Sequence, residues 1–401
     1  MLLTHKYRIY PTKAQTTRLE NQFSMCRYLY NWALEDRIWL YENHSISISL
    51  FEQSNELTFL KKERPWFGSV HSQVLQNTLK RLDTAYKSFF RRIKSGEAKA
   101  GFPKFKKFKD WSSITYPQFK ERPVDGILKI SKIGNIKIKY HREIPENGTI
   151  KTLTISKEAG KWFVCFSFEN HLKVEIKQNP TTFLGIDLGL NDFYYDSDGN
   201  SVKSPKSFRA NEKSLANLQR KLSKTTKRTK KYYRLLKAIR KCHYRIKCQR
   251  NDFLHKTANK LLSISNVIVY EKLDVKNMVK RATPIKDPNS DGYLPNGASV
   301  KSGLNKSIAD ASWNKFILFL QYKASILGKQ LIPVNPAYTS QMCSNPACGR
   351  VVKKTLSTRI HRCPHCNLVL NRDHNAAINI LRLGLQSQGL IPQEASSIAS
   401  A

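Results

Sequence analysis

Residues 183–189 read FLGIDLG and residues 193–196 read FYYD: a short apolar run closing on an acid, a glycine turn, and a second run able to fold back on the first. A run of this kind predicts a buried strand with Asp187 near its end. A second one, NVIVYEKL at 266–273, carries Glu271 in the same position. Between them, residues 210–262 place Leu215, Leu218 and Leu222 before a Thr/Lys-rich break and Leu235, Ile239, Ile246, Leu254 and Leu261 after it, which predicts an antiparallel helical pair. Residues 281–303 hold Pro284, Pro288 and Pro295 with glycines among polar residues and predict an exposed loop, a candidate gate. A helix is expected from about Ser307 to Leu327, a strand at QLIPV, and a final helix over DHNAAINILRLG stopped near Gly384. That helix brings a third acid, Asp373. Taken singly, Asp187 reads more readily as a turn former or helix cap than as a catalytic acid, and Asp373 reads as a plain N-cap. Acids that adjoin apolar strands can also converge at the strand ends, where their like charges call for a bridging cation. Hard carboxylate oxygens suit Mg²⁺, and two ions about 3.5–4 Å apart would activate water and stabilise a departing oxygen in phosphodiester cleavage. No G-x-S-x-G, P-loop or H-E-x-x-H pattern offers a rival chemistry.

Cys343-x4-Cys348 and Cys363-x2-Cys366, with 14 residues between the pairs, supply four soft ligands suited to tetrahedral Zn²⁺. Four thiolates leave no open coordination position, so the expected role is structural. His361 and His365 lie close enough in sequence for either to replace a cysteine.

Toward the N-terminus, KYRIYP predicts a strand ended by Pro11, followed by a helix with Leu19, Phe23, Cys26, Tyr30 and Ala33 on one face. A second amphipathic helix is expected from about Ser72 to Ile93. Residues 96–110, GEAKAGFPKFKKFKD, interleave Phe102, Phe105 and Phe108 with lysines; they read either as a surface that stacks bases and holds phosphates or as a packed connector. Alternation from about Ile114 to Phe168 predicts a small antiparallel β-barrel, residues 171–182 a linker, and the end of the chain a weakly ordered tail.

The whole chain has 401 residues with 69 Lys and Arg against 30 Asp and Glu, a net charge of +39. A polyanion is the natural neutraliser, and nucleic acid the leading one. The charge is striped: residues 203–256 hold 19 Lys or Arg against Glu212 and Asp252, and residues 80–109 hold 11 against Asp83 and Glu97. With 40% hydrophobic residues, wholesale disorder is disfavoured, as is a disulfide framework from eight cysteines. No apolar run approaches the roughly 20 residues of a membrane span, and MLLTHKYRIYPTK is no signal peptide, so a cytoplasmic, nucleoid-associated protein with no membrane partner is expected.

Together FLGIDLGLND, NVIVYEKL, NPAYTSQMC, the paired cysteines and RDHNAAINI resemble the TnpB family, RNA-guided nucleases encoded by bacterial insertion sequences of the IS200/IS605 type and related to compact type V CRISPR-Cas12 effectors. KYRIYPTKAQ and CRYLYNWAL extend the resemblance to the N-terminal region. It implies an α/β multidomain protein in which Asp187, Glu271 and Asp373 form a catalytic, Mg²⁺-holding RuvC-like triad on an RNase H fold, with Mn²⁺ as an alternative ion. Cys343, Cys348, Cys363 and Cys366 would then form an inserted Zn²⁺ segment. The implied division is a wedge-like β-barrel at 1–10 and 111–180, a helical recognition domain at 11–110, a nuclease domain at 181–337 and 371–386, a zinc-binding insertion at 338–370 and a flexible tail at 387–401. The implied partners of a monomeric chain are a guide RNA derived from the transposon end, double-stranded target DNA beside a short motif, and single-stranded DNA. Two departures stand out: the first cysteine pair is spaced by four residues where two is commoner, and Asn371 stands where many relatives carry Asp. The activity implied is RNA-guided DNA cleavage; the alternatives are an RNA-guided binding protein or repressor with little cleavage and a strand-transferring transposase, and loss of a triad acid, the mark of the guided binding protein, is absent.

Overall fold

The computed structural model describes residues 2–97, 99–170, 180–355 and 357–389, so most of the expected linker at 171–182 and of the expected tail at 387–401 lies outside the described residues. The chain divides into two units, residues 1–172 and 173–401.

In the first unit, strand β1 (Leu2–Tyr10) turns His5, Tyr7 and Ile9 inward while the residues between them face out, the period-2 pattern of a strand with one buried face. Thr12 and Gln15 then form a reciprocal capping box that starts helix α1 (Lys13–His44). Helices α2 (Leu50–Glu63) and α3 (Ser72–Lys94) follow, then strands β2 (Ser113–Tyr116), β3 (Ile127–Ile130), β4 (Gly134–Lys139), β5 (Thr149–Glu158) and β6 (Lys161–Glu169). The strands form one curled antiparallel sheet in the order β2-β5-β6-β1-β4-β3. Among the described residues its edge strands β2 and β3 do not pair, so the alternation that predicted a barrel builds a half-barrel. Tyr7, Ile9, Leu153 and Phe166 share one core with Leu19, Phe23 and Leu29 of α1 and Leu75 and Leu79 of α3. Helix α2 was not expected from the sequence, although Ser49 and Glu52 form a capping box at its start.

The second unit is built on a mixed sheet whose topology resembles RNase H. Strands β7 (Phe183–Leu188), β8 (Asp192–Asp196) and β9 (Ser201–Lys203) form an antiparallel meander. Helices α4 (Ser207–Ser223) and α5 (Lys230–Ile264), the expected pair, lead to β10 (Val267–Glu271), which lies parallel to β7. After the short helix α6 (Val275–Met278) and the hairpin β11 (Ile285–Lys286) and β12 (Tyr293–Leu294), helices α7 (Ala298–Ala311) and α8 (Trp313–Leu327) lead to β13 (Gln330–Val334), parallel to β10. Strands β14 (Ile360–Arg362) and β15 (Val369–Asn371) pair antiparallel and run directly into helix α9 (Arg372–Ser387). The sheet order is β13-β10-β7-β8-β9.

Both faces of this sheet are covered. Leu184, Ile186, Ile268 and Tyr270 pack with Leu254 and Leu261 of α5 and Phe316 and Leu320 of α8. Val267, Val269, Ile332 and Val334 face Ile380 of α9. Two glycines permit that second contact: a Cβ on Gly185 would stand 2.3 Å from the Ala377 carbonyl oxygen, and one on Gly384 would stand 2.4 Å from Val269 Cγ1. Gly384 therefore does not stop the last helix, which continues to Ser387. The helix expected at Ser307–Leu327 is two, broken where Ser312 adopts a left-handed backbone at φ 57°. The loop expected at 281–303 contains the β11–β12 hairpin and the first turns of α7, mostly exposed. No helix among the described residues is long and apolar enough to cross a membrane. Gly185→Ala should destabilise the second unit by about 1–3 kcal/mol through overpacking. Gly303→Ala, inside α7 with nothing within 4 Å of a new Cβ, should stabilise it by about 0.5–1 kcal/mol; denaturant unfolding of the two variants measures both.

Candidate active site

Strand parity decides where the first two acids point. Val267 and Val269 of β10 face α9, so Glu271, two residues further along, lies on the same face. On β7 the α9 face is marked by Gly185, hence also by Asp187. Val269 is registered with Gly185 and Tyr270 with Ile186, and one further step in that parallel register sets Glu271 level with Asp187. Helix α9 crosses above and brings Asp373 in its first turn.

The electrostatics follow from that placement. Asp187 keeps some solvent contact as a residue, yet protein surrounds its carboxylate. Burial first, then the neighbouring Glu271 and Asp373 carboxylates, push it well above the ordinary carboxylate range, with Arg372 and the Leu188 backbone N–H acting against the rise. Glu271, 8% exposed, is raised by burial, and the Thr339 hydroxyl that donates to its Oε1 opposes the rise. The Arg372 side chain donates from Nε to Asp373 Oδ1 at 3.3 Å. The acid at the start of α9 is not the cap. Asn371 Oδ1 accepts the Asp373 backbone N–H at 2.8 Å, which leaves the Asp373 carboxylate available.

The four cysteines lie in two tight turns. In the first, the Cys348 and Gly349 N–H groups both donate to the Asn345 carbonyl; in the second, the Asn367 N–H donates to the Cys363 carbonyl at 2.9 Å. The turns bring all four Sγ atoms within 4.8 Å of one another, with Cys343 and Cys366 3.5 Å apart and Cys348 and Cys363 3.6 Å apart. This cluster suggests a structural zinc site. Neither histidine belongs to it: His361 is buried with Nδ1 against Lys354 Nζ, and His365 Nδ1 lies 3.2 Å from Arg350 Nη1.

The sequence reading missed the residues that join the cluster to the acids. Asn375 and Asn379, one helical turn apart on α9, are both fully buried. Asn375 donates to the Met342 carbonyl at 2.8 Å and accepts the Ser344 N–H at 3.0 Å. Asn379 donates to the carbonyls of Thr339 at 2.9 Å and Met342 at 2.7 Å. Thr339, which holds Glu271, is thus fixed by the same helix that carries Asp373. Two amides at i and i+4 within an otherwise apolar helix face were the available signal. Asn379→Ala strips the Thr339 carbonyl of this donor and should cost about 1–3 kcal/mol, whereas Asn371→Asp keeps a capping oxygen and should be near neutral; thermal unfolding of both variants provides the check.

A family profile described as "Probable transposase" matches residues 163–282, one described as "Cas12f1-like, TNB domain" matches 313–380, and one described as "Helix-turn-helix domain" matches 1–45. The described part of that last span folds as one strand and one helix. The chain is 32% identical over 391 residues to "Putative RNA-guided DNA endonuclease InsQ" of Escherichia coli (strain K12), covering 96% of this chain and 92% of the relative. It is 31% identical to "Putative RNA-guided DNA endonuclease" of Streptomyces pristinaespiralis, covering 98% and 92%. The fold also matches the protein chain of a solved "Cas12f1-sgRNA-target DNA complex" with a TM-score of 0.52 at 14% identity, over 92% of this chain and 82% of that one. Identity above 30% along nearly the full length of both relatives, on a chain with these acids and thiols in one unit, establishes that this chain belongs to the TnpB family of IS200/IS605-type elements.

Proposed function

We propose that the protein is an RNA-guided, Mg²⁺-dependent DNA endonuclease of a bacterial insertion sequence, cutting target DNA beside a short adjacent motif. Asp187, Glu271 and Asp373 are the catalytic residues in this reading. The observation that carries it is the register that sets Asp187 and Glu271 level on the α9 face at the ends of the neighbouring strands β7 and β10, with Asp373 in the first turn of α9 beside Asp187. Three converging carboxylates with one nearby guanidinium form an oxygen-rich, negatively charged donor set, which fits a hard divalent ion such as Mg²⁺ or Mn²⁺. When bound, a pair of such ions supplies an activated water and charge stabilisation for the departing oxygen. The protein's part is positioning: β7 and β10 fix Asp187 and Glu271, the Thr339 hydroxyl orients Glu271, and the Asn371 cap keeps Asp373 from being spent on the helix end. Cys343, Cys348, Cys363 and Cys366 would hold Zn²⁺ and staple the segment between β13 and α9, taking no part in the chemistry.

In this reading residues 1–10 and 111–180 are the wedge-like domain, 11–110 the recognition domain, 181–337 and 371–386 the nuclease domain and 338–370 the zinc insertion. Guide pairing carries the sequence specificity, and the positive charge at 80–109 and 203–256 holds phosphates.

The test is to purify the protein with RNA from its own element and incubate it with DNA bearing randomised flanks and Mg²⁺. Asp187→Ala, Glu271→Ala and Asp373→Ala should each reduce cutting by about 10³-fold or more while target binding persists. Equal cutting by all three variants would sink the triad, sequence-specific cutting without RNA would sink guidance, and target binding without products from the unaltered protein would establish a guided binding protein instead. For the thiols, elemental analysis should find zinc bound to the protein and lost from Cys363→Ser, with easier proteolysis between β13 and α9.

A further inference from the structure

Between α3 and β2 the chain runs through KAGFPKFKKFKD, residues 99–110, with a single 3₁₀ turn at Phe108–Asp110 as its regular structure. The segment is nevertheless tied down along its length. Arg92 donates from Nε to the Ala100 carbonyl and from Nη2 to the Gly101 carbonyl at 3.0 Å. The Phe102 ring packs edge-on against Tyr86 and Phe89, with centroids 5.5 and 5.2 Å away. Asn31 of α1 grips the Lys106 backbone in both directions, donating to its carbonyl at 3.0 Å and accepting its N–H at 2.7 Å. Asp110 accepts the Lys107 N–H at 3.2 Å, closing the turn, and Trp111, the next residue, is buried in the core of the unit. The sequence left a stacking surface and a packed connector as alternatives, and the structure holds parts of both: Phe102, though 45% exposed, rests its ring on Tyr86 and Phe89.

Phe105 and Phe108 present more of their surface to solvent, 51% and 72% exposed. An isolated exposed phenylalanine is ordinary. Two of them on a strap held at both ends and interspersed with Lys104, Lys107 and Lys109 combine aromatic surface, positive charge and little ordering cost on binding. We propose that Phe105 and Phe108 form a stacking platform for unpaired bases of a single DNA strand, with Lys104, Lys107 and Lys109 on its phosphates. The choice of DNA follows from composition. Residues 99–110 contain no Ser, Thr, Asn, Gln, His or Tyr, so the side chains that could meet a ribose 2′-hydroxyl are the lysine ammoniums, assigned here to phosphates, and the Asp110 carboxylate, which already accepts the Lys107 N–H. The proposal rests on the nucleic-acid reading above and adds to it a named strand and surface.

The experiment measures binding of fluorescent dT15 and rU15 to the full-length protein by anisotropy across a salt series, without added Mg²⁺. Phe105→Ala and Phe108→Ala should each weaken dT15 binding by roughly tenfold, with the salt dependence unchanged because the lysines remain. The leucine variants at both positions should lose affinity like the alanine variants, and the tryptophan variants should retain it. Unchanged dT15 affinity in the double alanine variant, or wild-type affinity in the leucine variants, overturns the platform. An equal or larger loss for rU15 overturns the assignment to DNA. Because this readout needs no cleavage, failure here leaves the endonuclease test untouched, and failure to cut leaves the platform standing.

Discussion

Burial and two neighbouring carboxylates both work against charge on Asp187, and the second unit is arranged around holding that acid beside Glu271 and Asp373. The opposing force is packing. Helix α9 lies so close to the sheet that neither Gly185 nor Gly384 has room for a methyl group, and that approach is what lets an acid in its first turn reach two acids on the strands. Strand parity does the rest, since Asp187 and Glu271 share the α9 face with Gly185 and Val269.

The thiol cluster belongs to the same arrangement. The segment that leaves β13 must turn out, form the two cysteine turns and return through β14 and β15 before α9 begins. Asn375 and Asn379 bind the outgoing part of that excursion to the helix that ends it. A metal on the four sulfurs would therefore lock an excursion whose beginning touches Glu271 through Thr339 and whose end carries Asp373.

The strand acids were legible because a short apolar run with an acid near its end is a local pattern, and the cysteines because their spacing is a ligand pattern. Asp373 carried a weaker signal: an acid at a helix start is ordinarily a cap, and only the structure hands that task to Asn371. Gly384 was misread because glycine signals a helix end locally, while its real constraint is Val269, more than a hundred residues away in the chain. The break at Ser312 was invisible because serine does not announce a left-handed backbone. Helix α2 buries only Gln53, Leu57 and Leu60, too thin an apolar stripe for periodicity to reveal, though its capping box was in plain sight. Alternation at 114–168 correctly gave strands but not closure, because pairing between sheet edges is set by tertiary geometry.

The position of α9 has a consequence for synthesis. The first unit is drawn from residues up to 172, so every element of its sheet and helices is made before the second unit begins. The acid site cannot assemble until residues beyond Gly384 have emerged, because the cover over Val267 and Val269 and the third carboxylate come from the same late helix. A chain that ends before that helix therefore carries the two strand acids without the third and without the cover over their face of the sheet.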